Sequence, residues 1–374
     1  MDKKKIVIAS DSFKGTLSSL EICRLFKNEI DESKIEAVYL PIADGGEGSI
    51  EAISNILKGH YVDIEVKDLY FNNIKTHFYI DESNNAYIET VSSSGLSLAK
   101  KDNDPGLVTT FGLGEQIKKA ISLGCKNIYI FLGGSATNDG GVGLASALGT
   151  KFYNQNDELF IPVGLNLKDI KYIDNKEVNE LLRGINIFAL ADVKSPLVGK
   201  EGASFVFSAQ KGATKEEIIL LDDGLKHLAK IVKRDLNIDI SNIPGSGAAG
   251  GLGGGLLAFC HAKISSGINT ILDLIIFDSL ILDADLVISG EGKFDKQTYD
   301  GKVVNGVALR CLKYNKTLDL IVGVSEVSLE EAKKNYPCIR NIYETNYEHL
   351  PFIEVKKDSK NRYIKQIKNL FKNI

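Results

Sequence analysis

Five apolar runs in this 374-residue chain each end in a short polar segment able to do chemistry. "KIVIA" runs into "SDSFKG" (10–15), "VYLPI" into "ADGGEG" (43–48) and "IYIFL" into "GGSATNDGG" (133–141). "INIFAL" runs into "ADVKSPL" (191–197), and "LVIS" into "GEGKFDKQT" (290–298). The Gly133-Gly134-Ser135-Ala136 turn, with the Ser135 and Thr137 hydroxyls, offers N–H and O–H donors suited to phosphate oxygens. Asp44, Glu47, Asp139, Asp192, Glu291 and Asp295 are carboxylates able to hold Mg2+ or to take a proton from a hydroxyl. Lys14, Lys194 and Lys293 can neutralise a phosphate or a substrate carboxylate. Together these are the requirements of phosphoryl transfer to a small acceptor.

Taken singly, each residue also has a plainer reading. Lys14 could be a solvated loop lysine, Asp44 and Glu47 first-turn acids matched to a helix dipole, and Asp192 the start of an Asx turn before Pro196. Asp295 and Thr298 lie too far upstream to cap a helix beginning after Gly301, so capping does not explain them. Other motifs fail. "GSGAAG" (245–250) has dinucleotide-fingerprint spacing but follows no convincing strand. No GK pair is followed by Ser or Thr, HRD and DFG are absent, and the five histidines lack metal spacing. No histidine lies in the five polar segments, which weakens acyl transfer.

These segments need elements to position them. Apolar runs alternate with helix-like stretches, the pattern of an α/β fold with parallel strands, whose ligands sit beyond the strand carboxyl ends. Five such ends are expected to converge on one cleft. Ser18 and Glu21 are spaced as a capping box, and 215–235 reads as a long amphipathic helix. After Gly59 the texture changes to period-two strands with Asn-rich turns, an antiparallel meander. We therefore expect a discontinuous first domain, 1–65 plus 284–374, with a second domain inserted over 66–283. The C-terminal pattern Tyr363, Ile364, Ile367, Leu370 and Phe371 reads as a helix docked on the sheet. Net charge of −4 and 25% charged residues point to no nucleic-acid partner, and no apolar run is long enough for a membrane span. Five scattered cysteines with no C-x-x-C suit reduced thiols and a cytoplasmic location.

The same segments carry a family likeness. "IASDSFKGTLSSLE", "PIADGGEGSIEAI", "FLGGSATNDGGVGLASALG", "ADVKSPLVGKEGASFVFSAQKGA", "PGSGAAGGLGGGLLAF" and "ADLVISGEGKFDKQTYDGKVVNGVA" resemble, in order, blocks of the bacterial glycerate kinase family of the glyoxylate- and glucarate-pathway type, not the MOFRL type. The resemblance runs from about residue 4 to about 310. It implies a flavodoxin-like, Rossmann-like parallel-sheet domain with an inserted second α/β domain of mixed sheet. It also implies ATP-dependent, Mg2+-assisted phosphorylation of D-glycerate, with 2-phosphoglycerate favoured over 3-phosphoglycerate. On that reading Asp192, Lys14 and Asp295 are catalytic, and Asp11, Ser12, Lys194 and Ser195 bind substrate. Gly133, Gly134, Ser135, Asn138, Gly250, Gly251 and Gly253 bind nucleotide, while Asp44, Glu47 and Glu291 serve the metal. The partners implied are D-glycerate and ATP alone, in a monomer or homodimer. The chain departs from the family pattern at Ala191, Lys194 and Ser195, where Cys, Thr and Asn are common, and at Ser10, Val303 and Val304. Alternatives are a kinase of another small hydroxy acid or a catalytically silent nucleotide- or metabolite-binding protein.

Overall fold

The computed structural model describes residues 3–43, 45–46 and 48–372. Contacts divide the chain into two units: Met1–Asp44 with Glu51–Leu57 and Gly267–Ile374, and Gly45–Ile50 with Lys58–Ser266. The return to the first unit at Gly267 falls ahead of the expected 284. The helix Gly267–Leu274 carries Ile268 and Leu272 against Gly306, and Arg310 binds Asp273 at 2.6 Å and Asp278 at 2.8 Å. At the other end, the strand Gly59–Lys67 pairs along its whole length with Asn73–Asp81 in the second unit.

The first unit is built on five parallel strands. Across the sheet they run Ile35–Pro41, Lys4–Ser10, Leu286–Ser289, Leu318–Val322, Ile339–Glu344. Numbered along the chain that order is 2-1-3-4-5, the flavodoxin-like winding, which reverses between the first and third strands. "LVIS" and "LDLIV" are buried at every residue, as strands covered on both faces must be. Asp319 inside the latter is held by Arg340, Nε to Oδ1 at 3.0 Å. The helix Ser19–Glu29 starts on the Ser18–Glu21 capping box and buries Ile22 and Phe26. The final helix, Ser359–Phe371, buries Tyr363, Ile367 and Leu370, with Tyr363 edge-on to Phe26 at 6.0 Å.

The second unit has a mixed six-stranded sheet. Lys263–Ser265, Asn186–Leu190, Asn127–Phe131 and Asn85–Glu89 are parallel, and Asn73–Asp81 and Gly59–Lys67 extend it antiparallel as the meander anticipates. Its core gathers Leu113, Ile130, Leu144, Leu225 and Phe259 among others. The long helix Lys215–Leu236 begins on a Thr214–Glu217 capping box. The "GSGAAG" segment (245–250) forms the entry to the buried helix Ala248–Cys260. Among the described residues no helix is long and apolar enough to cross a membrane. All five cysteines are free thiols, and burial pushes Cys23 up to about 12.

Candidate functional site

In the first unit a cavity of about 440 Å3 opens at the carboxyl ends of the parallel strands. Asp11, Ser12 and Lys14 line it after the first strand, and Glu291, Gly292 and Lys293 after the third, so it lies at the winding's reversal point. The two loops are tied together: the Asp11 N–H donates to the Gly290 carbonyl at 3.0 Å, and Ser10 Oγ reaches the same oxygen at 3.2 Å. Asp11 is buried and its Oδ1 accepts from the Ser12 backbone N–H at 2.7 Å, which orients the carboxylate. Lys14 is exposed at the rim.

Glu291 and Asp295 share one cation. Lys302 Nζ lies 3.5 Å from Glu291 Oε2 and 3.6 Å from Asp295 Oδ1, while Lys293 Nζ is 3.3 Å from Asp295 Oδ2. Glu291 is 3% exposed, and burial raises its pKa although the Thr298 hydroxyl, at 2.6 Å from Oε1, and Lys302 oppose the rise. Burial would raise Asp295 too, but there Lys302, Lys293 and the Gln297 N–H outweigh it and hold the carboxyl below its ordinary range. Two neighbouring acids pushed in opposite directions are the arrangement that separates acid and base roles. Asp295 and Thr298 also have a structural task that sequence reasoning missed. They form a reciprocal cap on the 3-10 turn Lys296–Asp300, with Gln297 N–H to Asp295 Oδ1 at 2.9 Å and Asp295 N–H to Thr298 Oγ1 at 3.2 Å.

Asp44 and Glu47 lie outside the described residues. Among the described residues no group of three or more His, Cys, Asp or Glu gathers as a metal site. Mg2+ carried by a nucleotide needs only one or two carboxylates beside phosphates and water. Asp295, held ionised next to buried Glu291, has the donor chemistry for that.

The second unit carries the other candidates at the carboxyl ends of adjacent parallel strands. Phe131 is in register with Leu190, so the loops beginning at Leu132 and Ala191 leave the same edge. In the first loop Gly134 is exposed with φ +73°, and Ser135 Oγ sits 3.0 Å from Thr137 Oγ1. Among the described residues the N–H groups of Gly133, Gly134 and Ser135 donate to no protein group, whereas those of Ala136, Asn138 and Gly140 are taken. Three successive unused donors around a left-handed glycine are a donor set of the kind that suits an anion. In the second loop Asp192 is half-buried and its Oδ1 accepts from the Ser266 hydroxyl at 2.9 Å. Lys194 is exposed; the Ser195 carbonyl accepts from the Gly245 and Gly247 N–H groups at 3.2 and 3.0 Å.

Other candidates have packing explanations. Asp139 is fully buried and accepts from the Thr110 N–H and hydroxyl and from the Gly141 and Gly143 N–H groups, so it anchors the helix Val142–Leu148. Burial raises its pKa against those donors. Asn138 is buried, with Nδ2 on Ser204 Oγ at 3.2 Å and Oδ1 receiving Ser208 Oγ at 2.9 Å. Gly250, Gly251 and Gly253 are buried against the chain itself: a Cβ on Gly250 would sit 2.0 Å from the Thr137 carbonyl, and one on Gly253 2.3 Å from that of Gly245.

Four contributors escaped sequence reasoning. Lys302 was weighed only as part of a GK pair. Ser266 follows a three-residue strand too short to read, and Asn346 follows the strand Ile339–Glu344, beyond the segments the resemblance covers. Lys211, within "FSAQKGA", is 4% exposed and donates to the Thr137 carbonyl at 2.7 Å, bracing the glycine loop from beneath. Burial pushes its pKa down from 10.5 to about 7, with Asp139 opposing. Between those values the unfolded chain holds the extra proton, so stability rises with pH; below about 7 the burial penalty is fully present. Lys211→Met should flatten that rise, whose slope for one group is at most ~1.4 kcal/mol per pH unit. Denaturant melts of both proteins across the window measure it.

Comparison with known proteins gives the family and the fold. The model of the family described as "Glycerate kinase family" matches residues 6–374. "Glycerate kinase" of Bacillus cereus is 42% identical over 85% of each chain, and "Glycerate 2-kinase" of Escherichia coli is 39% identical over 85% of each. The crystal structure of a putative glycerate kinase 2 from Salmonella typhimurium superposes with a TM-score of 0.86 at 35% identity, covering 99% of this chain and 97% of that one.

Proposed function

The chain belongs to the glycerate kinase family, as a phosphotransferase with an alcohol acceptor, and on that footing we propose that it transfers the γ-phosphoryl group of ATP to D-glycerate, giving 2-phosphoglycerate and ADP. The observation that carries the reading is the cavity at the strand reversal, lined by Lys14, Lys293 and Lys302 together with Asp11 and Glu291. The 2-isomer is favoured by the name of the Escherichia coli relative, "Glycerate 2-kinase".

In the reaction, the acceptor hydroxyl loses its proton, its oxygen bonds to the γ-phosphorus, and the bond to the leaving ADP oxygen breaks. Asp192 takes the proton, its free rotation limited by Ser266. The Gly133, Gly134 and Ser135 N–H groups hold nucleotide phosphate oxygens. Ser12 and Lys14 meet the acid's carboxylate or the phosphoryl group in flight, with Lys293 and Lys302 adding positive charge. Lys194 and Ser195 contact the acceptor. Bound Mg2+ would neutralise phosphate charge, with Asp295 and Glu291, and with Asp44 and Glu47, as its candidate carboxylates. Thr298 keeps Glu291 from turning away.

A coupled ADP-release assay with ATP, Mg2+ and a panel of small hydroxy acids tests the reading. D-glycerate is expected to give the highest kcat/KM, and the product to carry phosphate on the 2-hydroxyl. Faster turnover of another acid would transfer the assignment to that acid, and ADP binding without release on any acceptor would leave a silent binding protein.

A further inference from the structure

The first-unit cavity is divided in character. Asp11, Ser12, Lys14, Glu291, Lys293 and Lys302 make one side polar, and Phe13, Leu17, Leu350, Phe352, Val355 and Tyr363 make the other apolar. A three-carbon acid has no surface that needs an apolar wall, and about 440 Å3 is a volume suited to a far larger ligand. The apolar side is also built to stay in place. Asn346 Nδ2 donates to the Leu350 carbonyl at 3.0 Å while the Leu350 N–H returns to Asn346 Oδ1 at 2.9 Å, closing the loop that carries Phe352. Arg362 fastens that loop, through Glu348 at 2.6 Å and the Thr345 carbonyl at 3.3 Å.

Phe352 is 59% exposed, yet its ring edge stands where a Cβ on Gly15 would be 3.0 Å away. Gly15 has φ +82°, so a side chain there would be strained as well as crowded. The glycine thus admits an aromatic ring beside Lys14, on a backbone braced from the opposite side. An aromatic ring left exposed beside a cavity, with ammonium groups along the polar side, matches a flat heterocycle carried on a phosphate chain.

We infer that this cavity is the nucleoside compartment of the enzyme: the purine base of ATP lies against Phe352 and Leu350, and its phosphates leave toward Lys14, Lys293 and Lys302. The inference rests on the reading that ATP is the phosphoryl donor. It also decides between the two roles left open for Ser12 and Lys14, giving them to phosphate and not to the acid's carboxylate.

The chain has no tryptophan, so Phe352→Trp introduces a single reporter. Its fluorescence should change on adding ADP and stay unchanged with inorganic tripolyphosphate. Phe352→Ala should weaken ADP binding, read by calorimetry, by about 5- to 150-fold, the range of one base–aromatic stack. Tripolyphosphate affinity and the KM for D-glycerate should move by less than about twofold. Because the ring is exposed, both variants are expected to keep the wild-type thermal midpoint. ADP affinity within about twofold of wild type in Phe352→Ala, or equal losses for ADP and tripolyphosphate, would overturn the assignment. A raised KM for D-glycerate with ATP unaffected would instead make the cavity the acid's site. The ADP titration needs no acceptor, so it reports on the compartment even if no acid is phosphorylated.

Discussion

Asp192→Asn is expected to lower turnover about 10²- to 10⁴-fold, the usual cost of losing a general base. The substitution keeps the shape of the side chain, and its amide oxygen can still accept from the Ser266 hydroxyl that Oδ1 now receives at 2.9 Å. The ability to take a proton is the property that goes. Single-turnover kinetics with saturating ATP and D-glycerate read the chemical step, and a thermal melt checks that the variant is folded. Ser266→Ala provides a graded comparison: the carboxylate remains but loses a hydrogen bond, so a smaller fall in kcat is expected with little change in KM. An asparagine variant within about tenfold of wild type would remove Asp192 from the base role.

Gly250→Ala is expected to destabilise the second unit strongly. Its Cβ would fall 2.0 Å from the Thr137 carbonyl and 2.8 Å from the Asn138 Cα, at a φ of +70° that L side chains rarely adopt. Neither neighbour is a flexible side-chain end, so the backbone itself must move. Overpacking and left-handed strain together cost about 3 kcal/mol or more. The Gly140 N–H to Gly250 carbonyl bond, at 3.1 Å, would be strained with it. A denaturant melt measures the loss. A variant of wild-type stability with a raised KM for ATP would return Gly250 to direct nucleotide contact.

That pair of experiments marks the line between what could be read in the sequence and what could not. The run "GGSATNDGG" puts four glycines in one loop, and the structure gives them different tasks. Gly134 is exposed, Gly140 leaves room for Leu225 and Leu228, and Gly141 lets the second glycine block lie close, since a Cβ there would sit 3.1 Å from the Gly255 Cα. Glycine signals close approach without saying to what, and here the partner lies more than a hundred residues away in sequence, as Ser135 and Ala249 show. The parallel strands, the meander and the Ser18 capping box were legible because each is written in local periodicity or spacing. Lys302 and Lys211 were not, since a lysine looks the same in sequence whether solvated or buried. The Asp295–Thr298 cap was overlooked because it serves a 3-10 turn, for which five residues carry no repeating pattern.

The first unit's central strand pair joins Lys4–Ser10 to Leu286–Ser289, and Ser10 bonds a residue 280 positions further on. During synthesis the amino-terminal strand therefore waits, its inner edge unmatched, while the whole inserted unit emerges. The second unit, continuous from Lys58 to Ser266 apart from one short segment, can be complete before that wait ends. The cavity, which draws on both Asp11 and Tyr363, is then the last part of the first unit to form, and a chain cut short before its final helix would leave it without a wall.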